Sequence, residues 1–331
     1  KKKYEIIKKK FKNINIFPDF KNIDKKIDSK VDYTMSAISG LEGLNPTLKI
    51  IKKTKRIAIA NKESIICGWG LIQKELKKHK TEFIPVDSEH FSIWSVIKDY
   101  NNSDIEKIIL TASGGPFLNK KIKNNIKIKD AIKHPNWKMG KKISIDSATL
   151  MNKIFEIVEA KKIFDIEFKK FDILIHPKSY IHAIVKLKNG LIKIIAHDTN
   201  MRIPIYNSIY MGSKNQKFIK SKNINLNILN SLNFQKVNFK KFPVTKILNK
   251  LTEKNSLFDT VLVSINDELV NLFLENKINF LDISSNIWLL INSPSFLKYK
   301  HQNPKNLAQI EKLNEFVRLK TRSLSVISKK K

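Results

Sequence analysis

Carboxylates at the junctions between elements of regular structure are the first residues of this sequence that could do chemistry. Asp87 and Glu89 stand two positions apart after the apolar stretch 81–86, which predicts a strand. Glu156, in a later stretch, could supply a third carboxylate. Three such groups on one face would form the oxygen-rich site that Mg²⁺ or Mn²⁺ prefers. The alternative is that Asp87 and Glu89 only begin a helix, where acidic side chains complement the helix dipole.

The stretch Ile143–Phe164 is interpreted as a short strand followed by an amphipathic helix. Asp146 and Ser147 stand where a helix N-cap is expected. The apolar stripe of this helix has the spacing i, i+3, i+4, i+7 and consists of Met151, Ile154, Phe155 and Val158. Opposite it, an amide, an ammonium and a carboxylate share a polar face, formed by Asn152, Lys153 and Glu156. This face predicts a phosphate or metal site, and the alternative is an ordinary solvated helix face.

A lysine at the end of another strand could contact a substrate. Lys62 follows the predicted strand 56–60 and could neutralise a substrate oxygen. Its neighbours Asn61 and Glu63 could touch a cofactor, because ligands of open α/β sheets bind at the carboxyl ends of the strands. The start of an exposed helix would explain the same three residues.

Two loops carry further candidates for ligand binding. Ser113 lies in a Ser-Gly-Gly loop after the predicted strand 105–111, and it could offer its hydroxyl and nearby backbone N–H groups to a phosphate. His134 and Trp137 lie in a loop bounded by proline and glycine that could close over a substrate and exclude water. An ordinary turn and a core tryptophan are the alternatives.

The elements that would position these residues alternate between strands and helices, which predicts an α/β fold with a parallel sheet. Strands are expected at 31–38, 56–60, 81–86, 105–111 and 171–175, and helices at 63–78 and 89–100. Residues 181–187 and 191–196 predict a hairpin closed by Asn189 and Gly190. From Pro243 onward the apolar periodicity is helical.

Composition limits the classes of function. The 331 residues, 42% of them hydrophobic, suffice for two or three domain cores. The net charge of +33 would suit nucleic acid or a membrane surface, but four of the 63 basic residues are arginine and the lysines are spread along the chain. We therefore expect no nucleic-acid partner. No apolar run approaches the ~20 residues of a membrane helix, so no membrane partner is expected either. The single cysteine, Cys67, indicates a reducing compartment and a cytoplasmic location.

Six collinear motifs resemble those of the 1-deoxy-D-xylulose 5-phosphate reductoisomerases. They are A-N-K-E-S (60–64), P-V-D-S-E-H (85–90), T-A-S-G-G-P-F (111–117), H-P-N-W-K-M-G (134–140), I-D-S-A-T-L-M-N-K-x-x-E (145–156) and I-H-P-K-S-Y-I-H (175–182). The resemblance is strong over 32–202 and weaker in the C-terminal helices. It implies an NADP-dependent oxidoreductase that rearranges the ketose phosphate and reduces it to 2-C-methyl-D-erythritol 4-phosphate in non-mevalonate isoprenoid synthesis. It further implies NADPH and Mn²⁺ or Mg²⁺ as cofactors, a small phosphosugar as substrate, and a homodimer.

The resemblance also implies a role for each matching residue. The metal would be held by Asp87, Glu89 and Glu156, and would chelate substrate oxygens as a Lewis acid. These three residues and Lys62 would be the catalytic groups. The substrate would be bound by Lys62, Ser88, Glu89, Ser113, His134, Trp137, Ser147, Asn152, Lys153 and Glu156. NADPH would be contacted by Asn61, Glu63 and Gly140.

The sequence departs from the family pattern at its start. It lacks the G-x-T-G-S-x-G loop of the family's first βαβ unit, and its first residue is Lys1 and not methionine. We therefore expect an N-terminally incomplete member of the α/β class. Its predicted parts are a partial Rossmann-like NADPH-binding domain (1–87), an α+β metal- and substrate-binding catalytic domain (88–210), a linker (211–242) and a helical C-terminal domain (243–331). Two alternatives stay open: a fragment that binds metal and phosphosugar without NADPH turnover, and a basic polyanion-binding protein.

Overall fold

A three-stranded parallel sheet with helices between its strands forms the first part of the chain. The computed structural model describes residues 2–120, 122, 125–210, 219 and 223–327. The elements are α1 (Lys2–Lys10), α2 (Ile23–Lys26), β1 (Val31–Ser36), α3 (Leu44–Ile51), β2 (Thr54–Ile59), α4 (Lys62–His79), β3 (Glu82–Pro85) and α5 (Ser88–Ile97). The strand order is β1-β2-β3, and both pairings are parallel. The predicted alternation of strands and helices is confirmed here.

The second sheet has five strands and is mixed, which agrees with the α+β class predicted for residues 88–210. Its region contains β4 (Ile105–Ala112), α6 (Ile128–Ala131), α7 (Lys141–Thr149), α8 (Met151–Phe164), β5 (Phe171–Ile175), β6 (Ile181–Leu187), β7 (Ile192–Ala196), α9 (Arg202–Tyr210), α10 (Leu226–Leu229) and β8 (Gln235–Lys236). The strand order is β7-β6-β4-β5-β8, and the pair β4 and β5 is parallel. The predicted hairpin is confirmed as β6 and β7, and Gly190 in its turn has φ of 89°.

The strand predicted at the start of Ile143–Phe164 is wrong, because these residues lie in helix α7. Leu150, with φ of 65°, breaks the helix, and α8 begins at Met151 without a side-chain cap. Asp146 therefore lies inside α7 and not at an N-cap. The alternation of apolar and polar residues suggested a strand, but Ser144 and Asp146 are buried along with the isoleucine between them. Burial around most of α7 conceals the helical period that the prediction needed.

The C-terminal part is helical, as predicted, and it encloses α8. Its elements are a 3₁₀ helix (Pro243–Lys250), α11 (Leu257–Leu274), α12 (Phe280–Ile291), α13 (Pro294–Leu297) and α14 (Leu307–Ile327). Helix α8 contacts α4, α5, α7 and the 3₁₀ helix, while α11 contacts α4 and α7. Residues 153–160 of α8 are consequently all buried. A solvated face on this helix is thereby excluded, and its polar residues face the interior.

Each of the four predicted parts contains residues outside the described ones. These are 1 in the predicted NADPH-binding domain, 121 and 123–124 in the predicted catalytic domain, 211–218 and 220–222 in the predicted linker, and 328–331 in the predicted C-terminal domain. Within the described part of that linker, β8 pairs with β5 and extends the second sheet. In the portion of the chain that the structure describes, no helix has the combined length and apolar character needed to cross a bilayer.

Candidate active site

A cavity of about 530 Å³ lies where three strands end and where α7 meets α8. Lys62 follows β2, Asp87 follows β3, and Ser113 follows β4, which places one candidate at the carboxyl end of each strand. All residues predicted to bind metal, substrate or cofactor line this cavity. They are Asn61, Lys62, Glu63, Asp87, Ser88, Glu89, Ser113, His134, Trp137, Gly140, Ser147, Asn152, Lys153 and Glu156. The fold therefore brings together side chains that are up to 95 positions apart, from Asn61 to Glu156.

Three carboxylates converge in this cavity with the spacing of a metal site. One ligand oxygen each from Asp87, Glu89 and Glu156 lies within 4.8 Å of the others. Asp87 also caps α5, since its Oδ1 accepts the backbone N–H of Glu89 at 3.2 Å. Helix capping alone does not explain the cluster, because Glu156 comes from α8. The donor set of three carboxylates fits a hard divalent cation.

Two lysines form ion pairs with these carboxylates. Lys153 Nζ lies 2.6 Å from Glu89 Oε1 and 2.5 Å from Glu156 Oε2. Lys62 Nζ donates to Asp87 and lies 3.6 Å from Glu156 Oε1. Burial alone would raise the pKa of Asp87, but the Lys62 cation holds this pKa well below its usual range. Burial and the Glu89 carboxylate together raise the pKa of Glu156 to about 7.

A fourth carboxylate, Glu159, is part of this cluster, and the sequence interpretation missed it. It lies one helical turn after Glu156 and is 1% exposed. Its Oε2 is 3.4 Å from Lys62 Nζ and 3.9 Å from His90 Nδ1, and burial raises its pKa to about 7. The i, i+3 spacing of Glu156 and Glu159 was the sequence feature that could have indicated two glutamates on one helix face. The sequence alone did not show that Glu159 is buried beside Lys62 and His90.

The loop that carries His134 is joined to the loop that carries Ser113. His134 Nδ1 accepts backbone N–H groups of Asn136 at 3.1 Å and Trp137 at 2.9 Å. Burial, followed by the Lys153 cation, lowers the pKa of His134 to about 4, so the neutral ring carries its proton on Nε2. That Nε2–H donates to Ser113 Oγ at 2.9 Å. Ser113 Oγ also accepts the N–H of Gly115, and its own hydroxyl hydrogen stays available for a ligand.

Gly115 permits the serine loop to approach the end of α7. It adopts φ of 65°, and a Cβ at this position would meet Ala148 Cα at 2.9 Å and Ser147 O at 3.0 Å. A residue with a side chain would therefore push the loop away from α7. The glycine brings Ser113 and Ser147 to one side of the cavity.

At the end of the cavity where the cofactor is predicted, the Asn61 side chain forms hydrogen bonds within the protein. Its amide donates to the carbonyls of Ile38 and Gly40, and its oxygen accepts the N–H of Ser64 as the cap of α4. These bonds occupy the side chain, so a cofactor contact at Asn61 would use its backbone. Gly140, in contrast, is open, because an added Cβ would meet no atom within 4 Å. The space next to Gly140 Cα is thus not filled by protein atoms.

Three carboxylates surround a single ammonium beside this end of the cavity. Lys142 Nζ lies 2.8 Å from Glu63, 2.9 Å from Asp146 and 3.0 Å from Asp267. Burial, with the nearby Glu63 and Asp146 carboxylates, raises the pKa of Asp267 to about 6. Helix α11 therefore contributes Asp267 to the ion cluster around Lys142.

We expect Asp267→Asn to stabilise the protein at pH 8. The folded pKa of Asp267 lies above the usual value of 3.8, so folding favours protonation of Asp267, and stability is lost as the pH rises from about 4 through about 6. Removing the charge should raise the unfolding free energy by on the order of 1–3 kcal/mol at pH 8, with little gain at pH 3.5. Urea denaturation at both pH values measures this. An equal or lower stability of Asp267→Asn at pH 8 would contradict it.

His182 is a further cavity residue without a predicted role. Its ring stacks on that of His197 with 3.7 Å between centroids, and its Nε2 contacts the carbonyl of His197 at 3.1 Å. Burial lowers its pKa to about 4, so the ring is neutral at pH 7. The motif at 175–182 contained it, but no chemistry of the sequence alone distinguished it from a packed histidine.

Family models match three parts of the chain. The model described as 1-deoxy-D-xylulose 5-phosphate reductoisomerase matches residues 1–69. The model of the 1-deoxy-D-xylulose 5-phosphate reductoisomerase C-terminal domain matches 83–164. The model of the DXP reductoisomerase C-terminal domain matches 198–320. The matched segments include β1 and β2 of the first sheet, β4 and β8 of the second sheet, helices α7 and α8, and most of the C-terminal helices.

Individual relatives agree with the family models. The 1-deoxy-D-xylulose 5-phosphate reductoisomerase of Pelagibacter ubique (strain HTCC1062) is 58% identical over 317 residues, which cover 95% of this chain and 81% of the relative. A solved reductoisomerase from Zymomonas mobilis in complex with NADPH has a TM-score of 0.84 and 30% identity, covering 97% of this chain and 83% of that one. A second, in complex with NADPH, fosmidomycin and magnesium, has a TM-score of 0.83 and 30% identity, covering 98% and 84%. The chain therefore belongs to the 1-deoxy-D-xylulose 5-phosphate reductoisomerase family.

Proposed function

We propose that the cavity is the active site at which this enzyme performs the reaction of its family. The enzyme is an NADP-dependent oxidoreductase that converts 1-deoxy-D-xylulose 5-phosphate to 2-C-methyl-D-erythritol 4-phosphate in isoprenoid biosynthesis, with NADPH and a divalent metal as cofactors. The observation that carries the site assignment is the convergence of Asp87, Glu89 and Glu156 within 4.8 Å. Hydroxyl, amide and ammonium groups line the same cavity and suit a phosphosugar.

Asp87, Glu89 and Glu156 are assigned to the metal, and the convergence of their ligand oxygens supports this assignment. When bound, Mg²⁺ or Mn²⁺ would supply Lewis-acid polarisation of the substrate's oxygens. Lys62 and Ser88 adjoin the three carboxylates and would hold the reacting end of the substrate. Lys62 carries a permanent charge there, since Asp87 and Glu159 hold its pKa well above the usual value although burial opposes them.

The phosphate is assigned to the side of the cavity where α7 passes into α8. Ser113 has a hydroxyl hydrogen free to donate, and His134 fixes the orientation of that hydroxyl. Ser147, Asn152 and Lys153 line the same side and supply a hydroxyl, an amide and an ammonium. Trp137 would cover the carbon chain and exclude water. Phosphate binding would hold the substrate while its remote carbon atoms react, which uses binding energy away from the reacting bonds.

NADPH is assigned to the end of the cavity beside Asn61, Glu63 and Gly140. Glu63 is held by Lys142 at 2.8 Å, and Gly140 presents open backbone. The hydride donor would then lie next to the carboxylate cluster, because Asn61 and Lys62 are neighbours in the chain. A short distance between reductant and substrate is what the reduction step requires.

NADPH absorbance, followed with Mn²⁺ and 1-deoxy-D-xylulose 5-phosphate, tests this function. We expect a loss of absorbance that needs both substrate and metal, and none in the metal-free control. No loss, with phosphosugar binding still seen by calorimetry, would instead support a fragment without turnover. Polyanion binding that falls steeply with salt and ignores both Mn²⁺ and Asp87→Asn would support the basic binding protein.

We also propose a division of the chain into four parts, at 87/88, 210/211 and 242/243. The parallel sheet lies within 1–87, and most of the mixed sheet lies within 88–210. The segment 211–242 contributes β8 to the mixed sheet, which supports its grouping with the central part. Limited proteolysis that cuts preferentially near these boundaries would agree with the proposal, whereas cuts inside either sheet would contradict it.

We further propose a homodimer that forms through the hairpin. β7 is an edge strand, and its side chains Ile192 and Ile194 are 58% and 52% exposed. Exposed apolar residues on an unpaired strand edge favour strand pairing with a second copy. We expect Ile194→Lys to shift the mass in sedimentation equilibrium from dimer to monomer, with Lys188→Glu in the turn as a control. A monomeric mass for the unaltered chain would refute the proposal.

The cytoplasm is proposed as the location of the enzyme. Cys67 is the single cysteine, and it is buried and free. A protein without disulfides is compatible with a reducing compartment, where NADPH is also used. Cell fractionation that finds the protein with membranes would contradict this proposal.

A further inference from the structure

The two lysines of the carboxylate cluster differ in which partners they would keep after a metal binds. Among the described residues, the ion pairs of Lys153 are with Glu89 and Glu156, and both belong to the set assigned to the metal. Lys62 pairs with Asp87 and Glu156 of that set, and also with Glu159, which lies outside it. A metal that takes the three carboxylates would therefore leave these lysines in different situations.

Lys153 would lose both of its close carboxylate contacts to the metal. Its ammonium is buried, with a side-chain exposure of 5%, so it needs a new anionic partner nearby. Ser113, Ser147 and Asn152 line the same cavity, and their hydroxyl and amide groups are hydrogen-bond donors that an anion could accept from. A phosphate at this place would restore the lost pairing.

Lys62 would keep one carboxylate partner. Glu159 Oε2 lies 3.4 Å from Lys62 Nζ, and Glu159 is held from its other side by His90 at 3.9 Å. The side chain of Glu159 is 2% exposed. A buried carboxylate without its cation would be costly, which favours retention of this pair.

We propose that metal binding separates the two lysines: it releases Lys153 to bind the substrate's phosphate, while Glu159 retains Lys62 beside the metal. The inference rests on the proposed function, since it takes Asp87, Glu89 and Glu156 as the metal ligands. It adds a coupling between metal and phosphate, and it makes Glu159 a positioning residue.

The charge of the carboxylate cluster also predicts that metal binding favours phosphate binding. Four carboxylates, Asp87, Glu89, Glu156 and Glu159, face two ammonium groups, so the fully ionised cluster has an excess of two negative charges. This excess repels phosphate. A divalent cation cancels it and lets the phosphate approach Lys153.

Calorimetry with inorganic phosphate tests the coupling without turnover. Mg²⁺ binding is measured first, and phosphate binding is then compared with and without Mg²⁺. We expect Mg²⁺ to tighten phosphate binding by about ten- to hundredfold, the value of a charge-assisted hydrogen bond. In Lys153→Met this gain should be lost. Lys138 lines the same cavity and has no assigned role. Its variant Lys138→Met should therefore keep the Mg²⁺-dependent gain in phosphate affinity.

The outcomes separate the inference from the proposed function. Bound Mg²⁺ with unchanged phosphate affinity, or a full gain in Lys153→Met, would overturn the inference and leave the metal site in place. Failure to bind Mg²⁺ would overturn both. Circular dichroism and thermal melting show whether Lys153→Met is folded, so that weaker Mg²⁺-dependent phosphate binding is not the result of unfolding.

Glu159→Gln tests the positioning role. We expect its Mg²⁺ affinity to stay within about threefold of the unaltered chain, because Glu159 is not a ligand, while kcat falls about tenfold or more with little change in KM. Glu159→Asp, which keeps the charge, should recover part of the loss. A Mg²⁺ affinity that falls as far as in Glu156→Gln would overturn this role and assign Glu159 to the alternative metal set of Asp87, His90 and Glu159.

Discussion

Glu156→Gln is expected to lower metal-dependent turnover by at least about a thousandfold, because the metal contributes several kcal/mol of charge stabilisation in the transition state. The substitution removes one of three anionic ligands and leaves the size of the side chain unchanged. It also leaves Lys62 and Lys153 in place, so the cluster loses affinity for a cation. NADPH absorbance with saturating Mn²⁺ and substrate measures the turnover.

The fold of Glu156→Gln should remain intact. Burial and Glu89 already raise the pKa of Glu156 to about 7, so the structure tolerates a neutral group at this position. Equal or higher thermal stability of the metal-free variant is the expected result. Glu106→Gln, whose carboxylate pairs with Lys186 on the exposed face of the second sheet, is the matched control and should retain full activity. Undiminished turnover of Glu156→Gln would refute the assignment of the metal site.

Lys162→Met is expected to lower the free energy of unfolding by about 3–5 kcal/mol, because it leaves a buried carboxylate unpaired. Lys162 Nζ on α8 lies 2.8 Å from Asp259 Oδ2 on α11, and both side chains are 6% exposed. Lys162 also donates to Asn255 at 2.8 Å. The pair joins the helix that carries Glu156 to the C-terminal helices, so the loss should be seen for the whole chain in urea denaturation.

Two control variants distinguish a buried charge from lost packing. In the double variant Lys162→Met, Asp259→Leu, no charge remains buried, and we expect most of the stability to return. Lys186→Met breaks an exposed ion pair, because the side chains of Lys186 and Glu106 are 44% and 45% exposed. This variant should lower the free energy of unfolding by no more than about 1 kcal/mol. If Lys162→Met proved as stable as the unaltered chain, the pair would have no structural importance.

The alternation of strands and helices was predictable because it depends on local patterns. Apolar runs identified β2, β3 and β4 within a few residues, and turn residues identified the hairpin of β6 and β7. Since parallel strands place their carboxyl ends on one edge, Lys62 and Asp87 were expected near one another. The mixed order of the second sheet was not predictable, because the pairing of β4 with β6 depends on contacts between distant segments.

The sequence by itself determined which chemical groups stand at the strand ends, and six motifs indicated the family. Only the tertiary structure decided the environment of α8. Packing by α4, α5 and α7 buried Lys153, Glu156 and Glu159 and excluded the alternative of a solvated face. It also left Lys62 with Glu159 as a partner outside the three proposed metal ligands. A period of 3.6 residues shows which side chains share a helix face, but burial and charge pairing are set by the helices that cover that face.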